Sequence, residues 1–161
     1  MGCMNLDWIA GFFDGEGSVS LRVARNSTCK SNYQFLPEIT IGQKTPFIIN
    51  AIHKRLRLGH VYPMGGGWQF VVHSRSEICK FISIMLTRTC LKKRHLLLLK
   101  RALSLLANQP KPSERFRGKG LSKETMLQLV GIVEEIRGLN RSRWIAWTIP
   151  LSEVRAAIIS L

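Results

Sequence analysis

Nine residues near the start of the chain concentrate the side chains that could do chemistry: Ile9, Ala10, Gly11, Phe12, Phe13, Asp14, Gly15, Glu16 and Gly17. Asp14 and Glu16 are two of only 10 Asp and Glu residues, and both fall at the C-terminal end of the helix that the flanking pattern predicts. The helix macrodipole disfavours negative charge there by roughly 0.3 to 1 kcal/mol per group, and surface helices usually place Lys or Arg at that end. Paired carboxylates in this position fit a cation, or a cationic side chain, arriving at the helix tip. Hard oxygen donors suit Mg²⁺, which commonly takes one or two carboxylates together with substrate phosphate oxygens. Read alone, Asp14-Gly15-Glu16-Gly17 is also an ordinary turn between a helix and a strand. The full string, early in a strongly basic chain and followed by alternating strands, favours the site.

The glycines carry a second message. Gly11 and Gly15 are one helical turn apart and share a face, where small residues let two backbones come close. A partner helix is implied. Because the motif occurs once, the simplest partner is the same helix in a second copy of the chain, related by a two-fold axis.

The rest of the chain must position these residues. Its 161 residues, 45% of them hydrophobic, are enough for one domain with a real core and too few to expect two. Asn5 can cap a helix whose Leu6, Ile9, Ala10 and Phe13 share an apolar stripe, with Gly15 as a natural terminator. Val19, Leu21 and Val23 then alternate with Ser18, Ser20 and Arg22 as in a half-buried strand, and a polar loop from Asn26 to Asn32 leads to a second strand from Gln34 to Gln43. Pro37 argues against a central place for that strand, since it cannot donate to a ladder. Thr45-Pro46 opens a helix that Gly59 can end. Strands His60 to Pro63 and Trp68 to His73 follow, joined by a turn at Met64-Gly65-Gly66-Gly67, and Ser74 with Glu77 forms a capping box ahead of Ile78, Phe81, Ile82 and Met85.

The predicted organisation is therefore a core of helix, strand, strand, helix, strand, strand, helix plus a following helix over residues 1–107. A basic loop over 108–121 and C-terminal helices over 122–161 complete one domain.

The balance of 24 Lys and Arg against 10 Asp and Glu gives a formal charge of +14 and a pI near 10.4. A polyanionic partner is expected, and nucleic acid fits because bound Lys and Arg release condensed counterions from phosphates. A membrane fits poorly, since no apolar run approaches the roughly 20 residues of a span. Cys3, Cys29, Cys79 and Cys90 show no C-x-x-C pair, and His53, His60, His73 and His95 show no ligand spacing with them. Reduced thiols and no zinc site are expected. With no secretory signal in view, the expected setting is an intracellular reducing compartment, cytoplasm, nucleoid or organelle.

The string from Ile9 to Gly17, followed by Ser18, resembles the signature helix of the LAGLIDADG homing endonucleases, and Gln43-Lys44-Thr45 resembles a second segment of that family. The resemblance covers about the first 100 residues well and the C-terminal helices loosely. It implies an α+β fold of order αββαββα with additional C-terminal helices, its antiparallel sheets forming a DNA-binding saddle. It also implies a homodimer, of the single-motif type, whose signature helices meet over Ala10, Gly11, Asp14 and Gly15 and deliver one acid each to the two scissile phosphates. By position Glu16 matches the metal-binding acid, with the carbonyl of Gly15 beside it, and Gln43 matches a residue that positions the attacking water. Lys92 or Lys93 matches a basic residue of the same water network. Asp14 matches a motif position read here as structural. The implied cofactor is Mg²⁺, or Mn²⁺, with Ca²⁺ as a non-catalytic substitute. One departure stands out: Pro46 and Phe47 follow the Gln-Lys-Thr segment, where the family often has another basic or polar residue.

If the sheet faces a major groove, the exposed strand residues Ser20, Arg22, Ala24, Gln34, Glu38, Thr40, Tyr62 and Gln69, with Asn26 and Lys44 just beyond strand ends, are candidates to contact DNA. Arg22 suits guanine, Gln34 adenine and Glu38 the cytosine amino group. Lys111, Arg115, Arg117, Lys119, Arg141 and Arg143 suit phosphates. The expected function is a site-specific, intron-encoded homing endonuclease acting on double-stranded DNA, with no small-molecule substrate. The alternatives are an RNA maturase or non-catalytic DNA-binding protein on the same fold, and a small basic RNA-binding or ribosomal protein, which would explain the charge but not the acidic helix tip.

Overall fold

A computed structural model describes residues 4–107, 121–140 and 149–161. Helix α1 spans Leu6–Glu16, and the Asn5 side chain caps it by accepting from the Trp8 N–H at 2.7 Å. It runs directly into β1 (Gly17–Arg25), which pairs antiparallel with β2 (Tyr33–Gln43). Gly15 is inside the helix; Gly17 ends it, its N–H bonded to the Phe13 carbonyl. Helix α2 (Pro46–Leu56) leads to the hairpin β3 (His60–Met64) and β4 (Gly67–Val72). Helices α3 (Arg75–Met85), α4 (Lys93–Ala107), α5 (Lys123–Asn140) and α6 (Leu151–Ile159) complete the order. The expected αββαββα core with additional helices is present.

The four strands form one antiparallel sheet in the order β1-β2-β4-β3. Pro37 sits in a strand with neighbours on both sides, against expectation, because the β4 ladder on β2 begins only at Ile39. At Pro37 itself the strand has one partner, so no second ladder bond is lost. One sheet face carries Val19, Leu21, Phe35, Ile39, Ile41, Phe70 and Val72 into a core cluster that extends through α1 to Val154 and Ile158 of α6. The opposite face carries Ser20, Arg22, Glu38, Thr40, Tyr62 and Gln69, none of them buried.

Two predicted end signals work differently. Helix α2 stops one turn before Gly59, with Arg57 taking the left-handed conformation at φ 55°. The Ser74 side chain makes no cap bond; Glu77 instead accepts from the Gly59 N–H at 3.2 Å, tying α3 to the start of β3. Among the described residues, no helix is long and apolar enough to cross a membrane.

Candidate active site and nucleic-acid interface

Glu16 is the last residue of α1 and lies exposed at the point where the helix becomes β1. This junction is fixed by sterics. A Cβ on Gly17 would lie 2.1 Å from the Phe13 ring and 2.4 Å from its carbonyl oxygen, so glycine alone fits. Phe13 is in turn held edge-on to Phe81 of α3, with centroids 5.0 Å apart. Gly17 pairs with Ile41, and β2 ends two residues later at Gln43, so Glu16 and Gln43 share one end of the β1-β2 ladder. Gln43 is half-buried, and its side-chain oxygen accepts from the Lys44 N–H at 2.8 Å.

Asp14 connects this end to the segment between α3 and α4 that carries Lys92. Its carboxylate accepts from the Thr89 hydroxyl, from the Cys90 N–H at 2.8 Å and from the Lys92 N–H at 2.9 Å. Burial pushes the Asp14 carboxyl up, but the Thr89 hydroxyl and the N–H groups of Cys90, Lys92 and Leu91 outweigh it and hold the group below its ordinary value. The segment that leads into α4 is thereby pinned to the tip of α1. Lys92 is half-buried within it, whereas Lys93, the first residue of α4, is exposed. One turn on, His95 is buried at 6% exposure, and burial together with the Lys92 charge keeps it neutral to lower pH than a free imidazole.

Of the residues expected to form the interface between two helices, Gly11 and Gly15 are exposed, and a Cβ on either would meet nothing within 4 Å. Ala10 is corrected: it is fully buried against its own core and has no surface to offer a partner. Asp14 likewise serves its own chain, through the Thr89 to Lys92 segment. Sequence reading missed Trp8 and Phe12, which flank the glycines. Their rings stack at 5.1 Å, and Trp8 is 44% exposed despite being apolar. Their spacing, one turn apart beside Gly11 and Gly15, was the available signal.

On the open sheet face, Arg22 and Glu38 form an ion pair at 3.8 Å. Asn26 is engaged locally, donating to Gln34 at 2.9 Å and accepting from the Thr28 N–H and hydroxyl at 3.0 and 2.7 Å. Ala24, Thr40 and Gln69 are half-exposed, and Lys44 and Tyr62 are exposed. His60 and His73 stack at 5.8 Å beside Tyr62, an exposed pair that sequence spacing did not single out. Lys111, Arg115, Arg117, Lys119, Arg141 and Arg143 lie outside the described residues. The Asn140 amide donates to the Val19 carbonyl at 3.0 Å, bracing β1 from α5, a tie with no sequence signature.

Glu16 and the Gly15 carbonyl offer the oxygen donors that a hard divalent cation takes. Among the described residues no group of three or more His, Cys, Asp and Glu converges to hold a metal. A carboxylate and a backbone carbonyl are two of the donors such an ion takes, and phosphate and water oxygens suit its remaining positions.

No curated protein matches the chain by sequence. Among solved structures, the homing endonuclease I-CvuI, in complex with the I-CreI target in the presence of Mg and with the DNA not cleaved, gives a TM-score of 0.81 at 20% identity. That match covers 96% of this chain and 92% of that one. The archaeal intron-encoded homing endonuclease I-Vdi141I, complexed with DNA, gives 0.79 at 23% identity, covering 96% and 94%. The I-SmaMI LAGLIDADG homing endonuclease, bound to cleaved DNA, gives 0.70 at 20% identity and covers 97% of this chain but 48% of its own. These identities establish the fold. The family described as LAGLIDADG endonuclease matches residues 9–100, which run from inside α1 into α4 and take in Glu16, Gln43 and Lys92. That span is more than half of the 161 residues, and the chain belongs to the LAGLIDADG endonuclease family.

Proposed function

We propose that this protein is a site-specific DNA endonuclease that binds a long, near-palindromic duplex as a homodimer, is encoded within an intron, and hydrolyses one phosphodiester on each strand with a divalent cation. The observation that carries the proposal is the placement of Glu16. It stands exposed at the tip of α1, level with the end of β2 that bears Gln43, and Asp14 two residues earlier pins the segment that bears Lys92.

Glu16 and the Gly15 carbonyl are the groups that would hold the ion. When bound, Mg²⁺ supplies charge neutralisation at the phosphate and a water of lowered pKa. Gln43 would orient the attacking water through its amide, and Lys92 would add positive charge where the phosphate oxygens gain negative charge. Lys92 is preferred to Lys93 because it is half-buried and its backbone is fixed by Asp14. Two Glu16 carboxylates near a symmetry axis repel unless cations lie between them, so metal binding and pairing of α1 are coupled.

The DNA partner is supported by the formal charge of +14 and by the DNA-bound state of I-CvuI and I-Vdi141I. Mg²⁺ is supported by the I-CvuI complex obtained in its presence; a second I-CvuI complex was obtained in the presence of Ca. The thiols of Cys29, Cys79 and Cys90 are free, and the last two are exposed, which suits a reducing compartment.

The test is selection of cleaved sites from a genomic or randomised duplex library with Mg²⁺. Both strands of the enriched site should be cut, and Glu16→Gln should bind that site without cutting it. Cleavage by Glu16→Gln at the parent rate would displace the active centre from Glu16.

A further inference from the structure

We infer that Arg22 and Glu38 act as one reading unit for a G·C base pair, with Arg22 taking the guanine and Glu38 the cytosine amino group; the inference rests on the proposed DNA-binding function. Ser20 pairs with Glu38 and Arg22 with Leu36 across the β1-β2 ladder, so Arg22 and Glu38 are diagonal neighbours on one face. Their side chains meet at 3.8 Å, with Arg22 59% and Glu38 24% exposed.

Glu38 is the unusual member. Along the open face, between Ser18 and Ala24 on β1, Gln34 and Gly42 on β2, Gln69 and Val71 on β4, and His60 and Met64 on β3, it is the one carboxylate among the described residues. A carboxylate brought between two phosphate strands is repelled by them. It is also acceptor-only, so in a groove it needs an amino donor. Arg22 is donor-only and its fork matches the two acceptors N7 and O6, which only guanine presents together. A G·C pair sets those acceptors next to the cytosine N4 donor in the major groove. The diagonal contact presents the Arg22 donors and the Glu38 acceptor side by side on the open face. The competing account is that Glu38 merely tempers the charge of Arg22, since exposed ion pairs contribute little.

Selection of bound duplexes from a randomised library in Ca²⁺ separates the two, using the parent, Glu38→Gln, Arg22→Gln and the double variant, with affinity for a fixed random duplex measured alongside. The parent should enrich a G·C pair at one position in each half-site. Glu38→Gln and Arg22→Gln should each relax preference at that position by on the order of tenfold or more, and the double variant should relax it little further. If Glu38→Gln instead tightens binding to every duplex equally and leaves the enriched sequence intact, the unit is overturned and the charge account stands. Changes at separate, non-adjacent positions for the two single variants would also overturn it. A parent that enriches no sequence overturns the site-specific function, and this inference with it.

Discussion

Asp14 carries two consequences at the scale of single residues. Its carboxylate sits below its ordinary value of 3.8 because four donors, the Thr89 hydroxyl and the N–H groups of Cys90, Leu91 and Lys92, outweigh burial. A group whose folded value lies below its unfolded one stabilises the fold above the unfolded value, near pH 4, and that contribution is lost as the pH falls through the folded value. Asp14→Asn should therefore cost about 1 to 3 kcal/mol in urea unfolding at pH 7, and the gap to the parent should close as the pH drops below 4. A gap constant down to pH 3 would show that the charge on Asp14 is not what holds the Thr89 to Lys92 segment. The same bonds separate the two lysines. Lys92→Met should slow cleavage on the order of 100-fold while leaving duplex binding nearly intact. Lys93→Met, at an exposed position, should change the cleavage rate little. The reverse order in single-turnover rates would move the active lysine to Lys93.

Elements were legible where a periodicity ran uninterrupted and obscure where tertiary contacts chose between equal options. The alternation in β2 placed Phe35, Ile39 and Ile41 in the core and Gln34, Glu38 and Thr40 on the open face, as the structure has them. The end of α1 was misplaced because Gly15 and Gly17 are both plausible terminators by type. Packing decides between them: Gly15 has open space around its Cβ position, whereas Gly17 abuts the Phe13 ring. The capping box at Ser74 failed for a similar reason, since Glu77 has a better use as acceptor for Gly59. Ala10 was offered to a partner because its motif position says nothing about which side of the helix the core occupies. Gly17→Ala tests the junction. It should destabilise the fold by about 1 to 3 kcal/mol through overpacking and reduce cleavage further than that loss alone explains, because it displaces Glu16. Thermal unfolding and cleavage at a temperature where the variant is fully folded separate the two effects, and a folded Gly17→Ala with the parent rate would show that the junction does not set the position of Glu16.

At the scale of the whole molecule, the surface left over by the fold decides how it assembles. Helix α1 buries Ile9, Ala10 and Phe13 and leaves Trp8, Gly11 and Gly15 exposed beside Phe12, which packs only partly on the core, an apolar strip with two gaps in it. Folding of one chain gives no reason for glycine at Gly11, because a Cβ there meets nothing within 4 Å. Glycine inside a helix costs roughly 1 kcal/mol relative to a good helix former, so within a single chain Gly11→Leu should be neutral or stabilising. If two α1 helices cross at that point, the same substitution drives a side chain into the partner backbone. Gly11→Leu should therefore leave the melting temperature of the fold unchanged or raised, while sedimentation at micromolar protein shows dimers weakened at least tenfold and cleavage of both strands lost together. A variant that sediments as the parent does and still cuts both strands would show that α1 is not where the two copies meet.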